Sequence, residues 1–178
     1  MKNSNEILMV VDVQNGFVNE KSEHVVDPIA SFLDQWLSGG KEAVLTRFIN
    51  DPGSAWERLI HWTRLRTSPE IDLHPKIQSA IAGKQHASVV DKRTYSSLID
   101  PVFELLERNK PERVLVCGIA TESCVLKTAV DLFESGYTPV VLEDLCASHA
   151  GPKIHESGLL IISRFIGRDQ IVNSSSVI

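Results

Sequence analysis

Short apolar runs alternate with longer amphipathic segments along this chain of 178 residues. The runs are nearly continuous in Val, Ile and Leu, which is typical of strands that are covered on both faces of a parallel sheet. The pattern therefore predicts six strands, at Ile7–Val11, Ala43–Phe48, Ser88–Val90, Arg113–Cys117, Thr138–Leu142 and Gln170–Val172.

The segments between these runs carry apolar residues at spacings of three and four, the period of an amphipathic helix. In the first, we expect Asp27 to cap the N-terminus and Gly39-Gly40 to end the helix. The alternation predicts a single three-layer α/β/α domain over residues 1–178, with a doubly wound, six-stranded, mainly parallel, Rossmann-like sheet. Further helices are predicted at Trp56–Leu65, Pro75–Ile81, Leu98–Arg108, Glu122–Ser135 and Pro152–Ile166.

The charge and cysteine content of the chain indicate which binding partners and which cellular compartment to expect. The net charge is −5 and the 18 Lys and Arg residues are scattered, so we expect neither a nucleic acid nor a membrane surface as partner. The apolar run Ile7–Val11 is too short for a signal-peptide core or a bilayer span. Three cysteines, none in a zinc-type or redox-type pair, are typical of a reducing compartment. We therefore expect a cytoplasmic protein.

Three chemically active residues follow predicted strands, where ligands of doubly wound sheets bind. Asp12 follows the first strand, Lys92 the third, and Cys124 lies in the first turn of the helix after the fourth. At a helix N-terminus the unpaired N–H groups favour a thiolate, whereas Cys117 and Cys146 fit the pattern of buried structural cysteines. Taken singly, Asp12 could cap a turn and Lys92 could be a solvated side chain.

Together these segments resemble the isochorismatase-like cysteine hydrolase superfamily, which includes nicotinamidases, N-carbamoylsarcosine amidohydrolases and isochorismatases. The resemblance extends from Ile7 to about Val172, and Leu98 departs from it because family members usually carry an aromatic residue there. The matching segments are Asp12-Val13-Gln14-Asn15 with Phe17, Lys92-Arg93-Thr94-Tyr95-Ser96, and Gly118-Ile119-Ala120-Thr121-Glu122-Ser123-Cys124-Val125.

The resemblance implies a covalent mechanism. Cys124 would attack the carbonyl carbon of a C–N bond to form a thioester, and Asp12 would move the protons. Lys92 would hold Asp12 ionised. A cis peptide at Ile119–Ala120 and an oxyanion hole made by the N–H groups of Ala120 and Cys124 are also implied.

The metal site of nicotinamidases is not matched by this chain. Those enzymes bind a divalent metal through an Asp-X-His pair after the second strand and a later histidine, whereas this chain has Phe48-Ile49-Asn50 there. Its six histidines show no paired spacing that would rebuild the site. Isochorismatase proper, which cleaves a vinyl ether, lacks the nucleophilic cysteine. The sequence therefore predicts a metal-independent hydrolase of a small amide or carbamoyl substrate, with no cofactor.

Two other classes of function stay open as alternatives. One is a catalytically silent module that binds a small molecule or a partner and keeps the hydrolase fold. The other is a dinucleotide-dependent oxidoreductase, which the sheet topology alone would permit. The turn after the first strand lacks the G-x-G-x-x-G pattern that a pyrophosphate requires, so this alternative is disfavoured.

Strand-end position or resemblance selects seven residues for the substrate pocket. Of these, Arg47 could bind a substrate carboxylate or form a surface ion pair. The set is Gln14, Phe17, Arg47, Phe48, Asn50, Tyr95 and His149.

Apolar surface in the second helix predicts a homo-oligomer. At helical spacing Trp56 shares a face with Leu59 and Ile60, and Trp62 points to another side. Since large exposed apolar patches usually mark interfaces, we expect residues 54–66 or the helix after Cys124 at the contact. Alternatively, the segment 66–87 folds back over one side.

Overall fold

The computed structural model describes residues 5–177. Six strands form one all-parallel sheet in the order β3-β2-β1-β4-β5-β6, which confirms the predicted doubly wound topology. The strands are β1 (Glu6–Val11), β2 (Glu42–Phe48), β3 (Ala87–Lys92), β4 (Arg113–Ile119), β5 (Pro139–Ala147) and β6 (Ile171–Val172).

Helices flank the sheet as right-handed crossovers require. The chain runs outward from β1 to β3 and then returns to β4, so α1 and α3 lie on one face and α4 to α6 on the other. In agreement, α1 packs against α3 and α5 against α6. The helices are α1 (Val26–Ser38), α2 (Ala55–Ile60), α3 (Pro75–Ile81), α4 (Asp100–Asn109), α5 (Leu126–Glu134) and α6 (Pro152–Ile166). Within residues 5–177, none of them is both long and apolar enough to cross a membrane.

The strands β1 and β4 are neighbours at the centre of the sheet, and their close packing fixes the positions of their carboxyl ends. Every residue of β1 is buried, and Val11 lies opposite Thr46 of β2 and Gly118 of β4. Gly118 has a φ of 122°, and a Cβ at this position would lie 2.1 Å from the carbonyl oxygen of Val11. Only glycine therefore lets β4 approach β1 this closely at the carboxyl end of the sheet.

Several predicted element ends are wrong by a few residues. The first helix begins at Val26, so Asp27 lies in its first turn rather than at the cap and forms an ion pair with Lys76 at 2.5 Å. Strand β5 continues to Ala147, which places Cys146 in the strand and not in the following loop. The edge strand β3 is only partly buried, so it is not covered on both faces as expected.

Two predicted helices differ more. The second ends at Ile60 because His61 adopts a left-handed conformation with a φ of 54°, and the chain then turns instead of continuing to Leu65. The helix predicted at Glu122–Ser135 divides into a π-helical turn, Thr121–Val125, and α5. The apolar residues at helical spacing in the last two helices are not all buried. Phe133 of α5, and Ile161 and Phe165 of α6, are exposed.

Candidate active site

The fold brings Asp12, Lys92 and Cys124 together at the carboxyl end of the sheet. Asp12 follows β1 directly, Lys92 is the last residue of β3, and Cys124 lies in the turn after β4. Since β1 and β4 are the strands at which the strand order reverses, the three side chains meet at the topological switch point.

Asp12 and Lys92 form a fully buried ion pair. The Lys92 Nζ lies 2.7 Å from Oδ2 of Asp12, and neither side chain is exposed to solvent. The other carboxylate oxygen, Oδ1, accepts a hydrogen bond of 2.8 Å from the Thr46 hydroxyl. A buried carboxylate with these two partners is fixed in position and keeps its charge compensated.

The direction of the Lys92 hydrogen bonds leaves part of Asp12 available. The ammonium donates to the carbonyl oxygens of Thr94 at 2.8 Å and Tyr95 at 2.9 Å. Its contact with Oδ2 is an ion pair that is not aligned as a hydrogen bond, and Oδ2 has no hydrogen-bond partner among residues 5–177. This oxygen can accept a proton from a neighbouring group.

One neighbouring group is the thiol of Cys124, which lies close enough to Asp12 and Lys92 for both charges to shift its pKa. Burial raises the pKa of the Cys124 thiol and the Asp12 charge raises it further, whereas the Lys92 ammonium and the Ser123 hydroxyl lower it. The sequence predicted that a helix N-terminus would favour Cys124 as a thiolate. This is corrected, because Cys124 is only 5% exposed and desolvation outweighs the stabilising groups.

The other two cysteines are buried in the sheet, as predicted. Burial raises the pKa of Cys146 to about 12 and that of Cys117 well above its ordinary value. Neither lines the cavity described below.

The turn that carries Cys124 has the backbone shape expected from the resemblance. The peptide bond Ile119–Ala120 is cis. The Ala120 carbonyl accepts hydrogen bonds from the N–H groups of Ser123 and Val125, each at 3.1 Å. Among residues 5–177, the N–H of Ala120 donates to no backbone or side-chain group, so it is available to an oxygen beside Cys124.

A cavity of about 360 Å³ opens above Cys124. Ala120, Glu122 and Ser123, from the turn that carries the thiol, line the cavity together with Ile60 of α2. The rest of the wall is aromatic, and its rings contact one another. It consists of Phe17, Phe48, Trp56, Trp62, Tyr95 and His149.

Two of these rings, Trp56 and Trp62, were expected at an oligomer contact and on different sides of a helix. The turn at His61 instead brings Trp62 round to the same cavity as Trp56. The segment 66–87 does not cover this helix, because Leu59 and Ile60 remain 70% and 59% exposed.

Three of the predicted pocket residues do not line the cavity, and we correct their assignment. The Gln14 amide is fully used in holding the chain together: Nε2 donates to the carbonyl oxygens of Phe48 and Ile71, and Oε1 accepts from the Phe48 N–H. Arg47 forms a two-pronged ion pair with Asp91 at 2.7 and 2.9 Å, the surface alternative. Gln14 and Arg47 do lie near the carboxyl ends of β1 and β2, but their side chains do not line the cavity.

Asn50, the third, supports the wall from behind. Its Nδ2 donates to the carbonyl oxygens of Trp62 and Arg64, each at 3.0 Å, and its Oδ1 accepts from the Ser54 hydroxyl at 2.6 Å. These bonds hold the loop that carries Trp62.

The residues present do not fit the divalent metal of nicotinamidases. At the equivalent positions Phe48 contributes a ring to the cavity, and the amide oxygen of Asn50 is engaged by Ser54. Across residues 5–177, no three His, Cys, Asp or Glu side chains come together in a way that could hold a metal ion.

Besides the wall residues Trp56, Ile60, Trp62 and Ser123, sequence reasoning missed Thr46 and Glu122. The Thr46 hydroxyl donates a hydrogen bond to Asp12. Thr46 lies opposite Val11 in the sheet, and this neighbourhood becomes visible only once the pairing of β1 with β2 is known. Glu122 lines the cavity two residues before Cys124, and its Oε1 accepts a hydrogen bond of 2.9 Å from the Ser148 hydroxyl.

Comparison with known proteins adds a family and several relatives. The chain matches the isochorismatase domain over residues 6–166. It is 26% identical over 156 residues to the isochorismatase family protein PncA of Bacillus subtilis, covering 79% of this chain and 85% of that protein. It is also 38% identical over 84 residues to the secreted isochorismatase effector Isc1 of Phytophthora sojae. That match spans 42% of this chain and only 40% of the Phytophthora protein.

Solved structures share the fold at low sequence identity. Nicotinamidase PncA from Bacillus subtilis superimposes with a TM-score of 0.83 at 21% identity, covering 95% of this chain and 99% of that one. N-carbamoylsarcosine amidase from Thermoplasma acidophilum superimposes with a TM-score of 0.80 at 20% identity, covering 95% and 96%.

Proposed function

Since the chain belongs to the isochorismatase family, we propose that it is a hydrolase that cleaves a carbon–nitrogen bond of a small amide or carbamoyl compound through a cysteine thioester. The observation that carries this proposal is the convergence of Asp12, Lys92 and Cys124 beneath a cavity of small-molecule size. Solved structures of the same fold include a nicotinamidase and an N-carbamoylsarcosine amidase, which supports amide chemistry.

The first half of the reaction forms the thioester. Cys124 Sγ attacks the substrate carbonyl carbon as its proton passes to Asp12 Oδ2, so no free thiolate has to exist in the resting protein. The N–H groups of Ala120 and Cys124 would hold the carbonyl oxygen as it becomes negative. The C–N bond then breaks, and the departing nitrogen takes the proton from Asp12.

The second half returns the enzyme to its starting state. A water molecule gives a proton to Asp12 and attacks the thioester carbonyl, and Cys124 leaves with that proton. The net reaction consumes one amide and one water and yields an acid and an amine. Lys92 compensates the Asp12 charge whenever the carboxylate is ionised, which explains why a lysine is buried here.

A panel of small amides and carbamoyl compounds tests this proposal by release of ammonia or amine. Cys124→Ala should lower the rate roughly a thousandfold or more, since the nucleophile is lost. Cys146→Ala removes a sulfur of equal size from a buried position outside the cavity, and it should retain most of the activity. Comparable losses in both variants would contradict the assignment of the nucleophile.

The catalytically silent alternative makes a different prediction for the same panel. A silent module would release nothing from any amide, while a small molecule would raise its melting temperature.

We also propose a homo-oligomer. The exposed Leu59 and Ile60 of α2, beside the cavity, are the apolar surface that supports it. Light scattering at micromolar concentration should give at least twice 19.7 kDa, and a monomer mass would contradict this.

A further inference from the structure

The cavity wall combines several aromatic rings with one carboxylate. Among the described residues that line it, Glu122 is the only Asp, Glu, Lys or Arg. Lys92, whose charge acts on Cys124, is already paired with Asp12, and Arg47 is paired with Asp91. We propose that the substrate amide carries a protonated amine, and that this ammonium group binds between Glu122 and the aromatic wall. This inference rests on the proposed function, whose substrate class it narrows.

Glu122 is fixed in place before any ligand arrives. Its Oε1 accepts a hydrogen bond from the Ser148 hydroxyl at 2.9 Å, and the Ser148 oxygen accepts one from the Ala150 N–H at 3.0 Å. Behind it, α6 approaches so closely that a Cβ at Gly158 would lie 2.9 Å from the Glu122 nitrogen and Cα. A charged side chain held this rigidly is suited to binding a ligand, because it loses little conformational entropy when the ligand binds.

Two buried polar atoms at the cavity lack a hydrogen bond. Glu122 Oε2 and His149 Nδ1 have no partner among residues 5–177, and both residues line the cavity. Buried polar atoms in folded proteins are nearly always paired, so unpaired ones require an explanation. An ammonium group has three N–H donors and no acceptor, so it could satisfy the carboxylate and a neutral imidazole nitrogen together.

The rings favour the same kind of ligand. Trp56 lies 4.9 Å from Phe48 and 5.4 Å from Tyr95 between ring centroids, and Phe17 stacks between Trp62 at 6.0 Å and His149 at 5.6 Å. The faces of Trp, Tyr and Phe attract cations, most strongly where water is excluded.

Other substrate classes fit this wall less well. An anionic substrate would face Glu122, and no Lys or Arg among the described lining residues could pair with it. A neutral apolar substrate would leave the buried Oε2 of Glu122 without a hydrogen-bond donor, which is unfavourable.

Three small amides of similar length test the inference by calorimetric binding to the Cys124→Ala variant, in which turnover is blocked. These are 3-aminopropanamide, an ammonium at neutral pH; butanamide, with a methyl group in its place; and succinamate, an anion. We expect 3-aminopropanamide to bind roughly tenfold or more tightly than butanamide, and succinamate to bind most weakly.

A second substitution assigns the preference to the carboxylate. Glu122→Gln, added to Cys124→Ala, keeps an acceptor for Ser148 and should reduce the preference to less than about threefold. Glu104→Gln removes the same charge from the exposed face of α4 and should leave the preference unchanged.

The inference is overturned if 3-aminopropanamide does not bind, if butanamide or the flat neutral amide benzamide binds as tightly, or if Glu122→Gln keeps the preference. Failure of the proposed function would look different. In that case the ammonium amide would bind with the expected preference, but the wild-type protein would release no ammonia from any amide.

Discussion

The buried pair of Asp12 and Lys92 makes a strong prediction about stability. Replacing Lys92 with Met leaves the Asp12 carboxylate buried with the Thr46 hydroxyl as its partner. Replacing Asp12 with Asn leaves the Lys92 ammonium buried and without a counter-charge. Breaking a buried ion pair from one side costs about 3–5 kcal/mol of unfolding free energy, because the remaining charge is uncompensated.

The two single variants should differ in a direction that the contacts determine. Lys92 also donates hydrogen bonds to the carbonyl oxygens of Thr94 and Tyr95, which a methionine cannot replace. An unsatisfied buried group costs about 1–3 kcal/mol, so Lys92→Met should be the more destabilised variant. Asp12→Asn keeps an oxygen that can accept from Thr46.

The double variant Asp12→Asn/Lys92→Met buries no charge, so its loss should be smaller than the sum of the two single losses. We expect a coupling free energy of about 2–4 kcal/mol, measured by urea unfolding with tryptophan fluorescence. Arg93 and Asp51 provide a matched control, because they form an ion pair at 2.6 Å with both side chains more than half exposed. Their cycle should give less than about 1 kcal/mol.

Additivity would refute this account of the pair. If the single losses at Asp12 and Lys92 add to within about 0.5 kcal/mol, the two side chains do not form the buried pair on which the site depends.

The remaining predictions concern the thiol, the backbone and the metal. Because burial raises the pKa of Cys124, its alkylation by iodoacetamide should be slow near pH 7 and still accelerate above pH 9; a plateau at an ordinary cysteine pKa of about 8.5 would contradict this. Gly118→Ala should cost more than about 3 kcal/mol in urea unfolding, since its Cβ would meet the Val11 carbonyl. Gly136→Ala, with a φ of 87° but open space around it, should cost about 1–2 kcal/mol. Chelation by EDTA should leave the hydrolysis rate unchanged, because the Asn50 side chain is already hydrogen-bonded within its own loop. A loss of activity that added zinc or manganese restores would contradict this prediction.

The sheet could be predicted because its signals are local. Continuous runs of Val, Ile and Leu mark the buried strands. Because strands alternate with helices and the connections between parallel strands are right-handed, few sheet topologies are possible. Helix ends were less predictable, because they depend on tertiary contacts. At His61 a left-handed residue ends α2 early, and no glycine signals it.

The positions of Asp12, Lys92 and Cys124 at one end of the sheet could be predicted because each follows a strand in a recognisable segment. Their environment could not. Cys124 precedes a good helix pattern, yet its burial outweighs the effect of the helix end, and burial depends on how distant segments close over the turn. Part of the cavity wall was missed for the same reason. Phe17, Phe48, Tyr95 and His149 line the cavity as predicted, but Trp56 and Trp62 reach it only through the turn between them.

Arg47 and Gln14 show the limit of strand-end position as a guide. Alternate residues of a strand point to opposite faces, and a one-residue difference decides which side of the sheet a side chain reaches. Arg47 therefore pairs with Asp91 on the neighbouring strand, while Phe48 reaches the cavity.

Partitioning of the acyl group between water and hydroxylamine tests the thioester most directly. Two substrates would be compared that share an acyl group and differ in the departing nitrogen, a primary amide and its N-methyl amide. If Cys124 forms a common acyl-enzyme, the ratio of hydroxamate to acid is the same for both substrates, although their overall rates differ. Ratios that change with the leaving group would show that no shared thioester forms and would contradict the mechanism.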